Sequence, residues 1–257
     1  MDGARVALLI GAGALAGVMN AIAGGGTIVT FPSLILAGLS SIVANATSTV
    51  ALLPGALSSL AGYRKRIPTV VRWLRLFAPV SLVGGLIGGI LLVQTPSSTF
   101  DRFVPFLILF ATVLFMAHSF FSRLFASRQV LKGAEPSRRW IIGAMAFQLG
   151  VAIYGGYFGA GIGILMLASL GMLGFEDVHE MNTVKVVLGF MINVVAAAYF
   201  IASGLIEWAE AGIMAGGTIA GGFLGAHYAQ KVKQTTVRRL ITVIGLGISA
   251  YMFYKQA

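Results

Sequence analysis

The chain has 257 residues, of which 58% are hydrophobic and only 10% charged, with a formal net charge of +10 and no cysteine. Soluble domains carry about 25% charged residues, so this composition leaves too little polar surface for a water-soluble globule and points to an integral membrane protein. The absence of cysteine excludes a disulfide framework, thiolate chemistry and a cysteine-ligated metal site. The positive charge could suggest nucleic acid, but no nucleic acid is expected: the basic residues cluster in short loops between apolar runs, the positive-inside pattern.

Taken in order, apolar segments of membrane length cover residues 4–23, 42–62, 73–93, 103–124, 140–157, 183–203, 209–229 and 240–254. Roughly 20 residues span a bilayer, which makes about 8 full transmembrane helices. The run 6–23 has no basic segment before it and glycines after it, so it does not read as a cleavable signal. Two further runs, 27–39 and 162–174, are short. As helices of about 13 residues they reach on the order of 20 Å. Each follows a glycine-rich break, the pattern of a broken or re-entrant helix.

The two short runs belong to an internal repeat. A shift of about 135 to 137 residues brings Gly24, Gly25 and Gly26 near Gly159, Ala160 and Gly161, Asn45 onto Asn182, and Ser48 onto Lys185. The chain divides into a first repeat, residues 1–125, a basic linker, 126–138, and a second repeat, 139–257; the linker is the core of the basic stretch SRLFASRQVLKGAEPSRR. Basic residues concentrate in 64–75, 123–139 and 231–239. Placing all three in the cytoplasm makes the loop after Tyr63 internal and its repeat partner after Phe200 external. The halves are then inverted copies, an architecture that holds a solute at the midplane between broken helices. The fold class is therefore an all-α multi-pass membrane protein of two inverted repeats.

The opening GAGALAGVMNAIAGGGTIVTFPSLILAGLSSIVANATSTV, with YGGYFGAGIGILMLASLGMLG and NTVKVVLGFMINVVAAAYF, resembles the TauE/SafE sulfite exporter family, also called the 4-toluene sulfonate uptake permease family. The resemblance covers nearly the whole chain. It implies a prokaryotic-type inner-membrane carrier for small anions bearing sulfur or carboxylate, such as sulfite or organosulfonates. One departure is Asn182, where members often place a glycine before the T-x-K motif.

A sulfonate carrier needs hydrogen-bond donors and positive potential, with no covalent step. Helix starts supply unpaired N–H groups and roughly half a positive charge. Gly24, Gly25, Gly26 and Thr27 would open the first short helix, and Gly159 to Gly163, with Gly159 and Gly161 foremost, the second. Their alternative role is close helix packing. Asn45, Thr47, Ser48 and Thr49 put four polar side chains within five residues, as substrate contacts or as interhelical hydrogen bonds. Lys185, three residues after Asn182, is an intramembrane cation that either meets the anion or snorkels to the interface. Asn20, Asn193, Tyr154 and Tyr157 are secondary candidates.

No nucleophile–base pair is seen in the spans, so no catalytic residue is expected. His118, His179 and His227 form no cluster with metal-ligand spacing, so neither metal nor cofactor is expected. GAGALAG lies inside an apolar span without a βαβ context and is not a nucleotide fingerprint. The expected function is alternating-access transport of a small sulfur-containing anion. A carboxylate carrier, an anion channel and a structural subunit are the rivals, and a homodimer is left open.

Overall fold

The computed structural model describes residues 2–22, 25–127, 137–173, 175, 177–228 and 234–256. Among these it is helical throughout, without a strand. Helix α1 is Gly3–Ile22, α2 Thr27–Leu36, α3 Ser41–Tyr63, α4 Ile67–Gln94 and α5 Ser97–Ser127. A single 3-10 turn, Arg64–Arg66, joins α3 to α4. Helix α6 is Arg138–Tyr157, α7 Ile162–Met172, α8 Val178–Ala202, α9 Trp208–Tyr228 and α10 Gln234–Gln256. The basic linker centred on 128–136, and part of the basic loop 231–239, lie outside the described residues.

Among the described residues five apolar stretches are long enough to cross a membrane: Gly3–Asn20, Ser41–Gln94, Ser97–Ala117, Arg138–Tyr157 and His179–Ala202. The second runs through both α3 and α4. The protein is a multi-pass helical membrane protein. Both short helices appear where the glycine breaks place them. At 1.5 Å per residue, the 10 residues of α2 and the 11 of α7 reach about 15 and 16 Å, half of a hydrocarbon core of about 30 Å.

Lipid does not drive helices together as water does, so packing depends on close backbone approach at small residues. Two crossings are built that way. Gly13 and Gly17 of α1 lie against the Met214 and Thr218 backbone of α9, and Gly84 and Gly88 of α4 against Leu149 and Ile153 of α6. A Cβ at any of the four would collide with the facing helix. Residue numbers rise together across both crossings, so α1 runs parallel to α9 and α4 parallel to α6. Helix α3 also packs on α9, α4 on α8, and α3 on α8.

Ion pairs identify the ends. Arg5 at the start of α1 meets Glu210 in the first turn of α9 at 2.6 Å. Thr47, in the second turn of α3, accepts a hydrogen bond from Glu207 N at 3.1 Å, so α3 starts at this end too. Arg66, just past the end of α3, meets Asp177 at the start of α8 at 3.5 Å. Helices α3 and α8 therefore run in opposite directions between a Glu210 end and an Asp177 end.

Candidate functional site

Each short helix starts from a backbone that only glycine adopts without strain. Gly25 has φ +97° ahead of α2, and Gly159 and Gly161 have φ +83° and +80° ahead of α7. At the first break the Gly26 N–H donates to Asn20 Oδ1 at 2.8 Å, which ties the end of α1 to the start of α2. At the second, the Tyr154 hydroxyl donates to the Ala160 carbonyl at 2.8 Å. The breaks face each other: a methyl group built on Gly159 would stand 3.9 Å from Asn193 Oδ1 and 4.0 Å from Thr27 Oγ1.

Between them lies a cavity of about 110 Å³, several times the space of about 10–15 Å³ that one water requires. Gly25 and Thr27 contribute from the first break, and Gly159, Ile162 and Gly163 from the second. Asn20 of α1 and Asn193 and Lys185 of α8 supply polar side chains. The apolar wall is Leu52, Leu53 and Ala56 of α3 with Met166 and Phe190. Lys185 is 9% exposed, and its stem lies along the α7 start: a methyl on Gly163 would be 3.2 Å from Lys185 Cδ. Among the described residues no carboxylate lines the cavity. Two helix starts, four amide or hydroxyl side chains (Asn20, Thr27, Ser59 and Asn193) and one ammonium make a chamber suited to a small anion.

The expected residues divide accordingly. Gly25, Thr27, Gly159 and Lys185 line this chamber, as do the secondary candidates Asn20 and Asn193. Gly26 packs against Ala16 of α1, and Gly161 faces Ala111 and Leu114 of α5. Asn182 is on α8 outside the lining, and Gly24 lies outside the described residues. Three members of the polar cluster of α3, Asn45, Thr47 and Ser48, are buried and bond to other elements, while half-buried Thr49 bonds within its own helix. Asn45 Nδ2 donates to the Tyr157 carbonyl at 2.9 Å, and Ser48 Oγ lies 2.6 Å from Thr30 Oγ1. Thr47 holds the Glu207 N–H, and Thr49 bonds back to the Asn45 carbonyl at 2.9 Å. One turn further along the same face of α3, Leu52 begins the chamber wall, so the cluster lies on the Glu210 side of the chamber.

Gly163, within the expected stretch Gly159 to Gly163, also lines the chamber, and so does Ser59, which the sequence reading does not single out. Ser59 was within reach of pattern reading, because it follows Ser48 by about three turns on one face of α3.

The sulfite exporter TauE/SafE family model matches residues 9–252. A "Probable membrane transporter protein" of Haemophilus influenzae is 27% identical over 98% of this chain and 95% of its own length. The "Probable membrane transporter protein YfcA" of Escherichia coli K12 is 25% identical over 94% of this chain and 87% of its own length. The "Probable membrane transporter protein ORF9" of a Sinorhizobium species is 24% identical, covering 95% and 90% respectively. No solved structure matches the chain.

Proposed function

The chain belongs to the sulfite exporter TauE/SafE family, and from that premise we propose that it is a secondary carrier for a small sulfur-containing oxyanion, sulfite or an organosulfonate, and not an enzyme. The observation that carries this reading is Lys185, a buried ammonium-bearing side chain beside two helix starts in a chamber that no carboxylate lines among the described residues. An oxyanion gains charge-assisted hydrogen bonds there, roughly twice as strong as neutral ones.

Alternating access is the proposed mechanism. Full-length helices, about eight, would cross the plasma membrane, with the two short helices meeting at the chamber. An inverted repeat is supported by the order of helices, long, short, long, long, long in each half. It is supported again by the opposite directions of α3 and α8, and by packing that exchanges between halves: α1 on α9 answers α6 on α4, and α3 on α9 answers α8 on α4. The Asp177 end would be cytoplasmic, with the basic loops 64–75, 123–139 and 231–239 on that side. The hydrogen-bonded cluster of α3 would stand in a path from the chamber toward the Glu210 end, which supports a carrier over an open channel.

The test is thermal stabilisation of the purified protein by sulfite, thiosulfate, sulfoacetate, taurine and simple carboxylates. Stabilisation by a sulfur oxyanion above the carboxylates is expected, and Lys185→Ala should weaken that affinity about tenfold or more. Unchanged affinity in a folded Lys185→Ala protein sinks the assignment of the counter-charge. A stronger response to carboxylates overturns the substrate class.

A further inference from the structure

A second cavity, about 390 Å³, lies away from the chamber, between the first half of α6 and the end of α7. Helical periodicity puts Arg139, Trp140, Gly143, Ala144 and Phe147 on one face of α6. Ser169 and Leu173 of α7 form the other wall. The volume exists because Gly143 and Ala144 are small: a Cβ built on Gly143 meets nothing within 4 Å. Counting each 20-residue helix from its first residue, Leu8 and Leu9 occupy the same places in α1. The groove is apolar inside and cationic at one end. Trp140 is 53% and Phe147 47% exposed, so the opening lies on the outer surface of the helices. Arg139 and Trp140 stand in the first turn of α6, where guanidinium and indole groups meet a bilayer interface.

We propose that this groove is a binding site for an anionic phospholipid, with an acyl chain along Gly143, Ala144 and Leu173 and the headgroup phosphate on Arg139. Charge complementarity selects the occupant. A guanidinium at the mouth of an apolar groove matches an amphiphile with a phosphate head, since Arg binds phosphate in a planar fork. A zwitterionic lipid offers the same tail but no net negative charge. Basic pockets between membrane helices near the cytoplasmic face take such headgroups. The inference is independent of the carrier reading, because none of these residues lines the chamber.

The experiment is native mass spectrometry of the purified full-length chain, supplied with phosphatidylglycerol or phosphatidylcholine of matched acyl chains. Retention of phosphatidylglycerol over phosphatidylcholine is expected. Arg139→Gln should lower phosphatidylglycerol retention about fivefold. Gly143→Leu, which grows into open space and keeps the fold, should displace both lipids from this site. Excess glycerol phosphate should leave retention unchanged, and displacement by it would show that the acyl groove contributes nothing. Equal retention of the two lipids, or retention unaltered in both variants, overturns the proposal.

Discussion

The side-chain amide of Asn45 in α3 donates to the main-chain carbonyl of Tyr157 at the end of α6, over 2.9 Å. The bond joins two elements 112 residues apart and caps a helix end that the break at Gly159 leaves open. Asn45 is fully buried, and its Oδ1 has no partner among the described residues. Asn45→Ala would orphan the Tyr157 carbonyl and cost about 1 kcal/mol, the scale of interhelical hydrogen bonds in membranes. Asn45→Asp would cost more, because it buries a charge in place of the donor. Unfolding in detergent, compared across both variants, measures this; equal stability of all three proteins contradicts the capping role.

Gly163 separates packing from binding. Its Cβ position lies 3.2 Å from Lys185 Cδ, and the glycine is at ordinary helical φ. Gly163→Leu should fill part of the 110 Å³ chamber and remove anion stabilisation while the helices stay intact. Gly159→Ala acts differently, since φ +83° costs a non-glycine residue about 1–2 kcal/mol. Circular dichroism with the anion thermal-shift series distinguishes them. Anion stabilisation persisting in Gly163→Leu would mean that the solute binds elsewhere.

The two ion pairs differ in exposure and should differ in consequence. Arg66 and Asp177 are 48% and 45% exposed, so breaking the pair should change stability by about 0–1 kcal/mol. Glu210 is 9% exposed at the side chain, and Arg5→Ala leaves it buried without its cation. A loss of about 2 kcal/mol is expected, less than for a fully buried pair because Arg5 is 33% exposed. Glu210→Gln should be milder than Arg5→Ala. A larger effect at Asp177 than at Arg5 reverses the assignment.

Orientation is open to a direct measurement, because the chain has no cysteine of its own. Cysteines placed at Lys65 and Ser203 should react with an impermeant reagent from opposite faces of the membrane. Both positions are exposed. Labelling from one face alone refutes the inverted arrangement.

Much of the fold was legible because membrane helices announce themselves by composition. Both short helices were readable from their glycine breaks, with starts at Thr27 and Ile162 as the structure has them. Lys185 was readable as a lone cation in an apolar run, and the structure puts it in the chamber wall. The Asn45–Ser48 cluster shows where that reading stops. Polarity within a span says that a face is not lipid, but the partner comes from other helices. Tyr157, Thr30 and Glu207 lie far away or around a turn, and no local period reveals them. Gly161 taught the same lesson, since its surroundings are on α5.

The glycine crossings carry one more consequence. Helix α1 is clasped by α9, and α4 by α6, at backbone contact. Each clasp takes one helix from either side of the basic linker, so the halves of the gene product are interlaced. What moves as a body during any rearrangement that preserves these contacts is a mixed pair, α1 with α9 or α4 with α6. Severing the linker would therefore leave two fragments that must find each other again, each missing the neighbour against which its glycines were shaped.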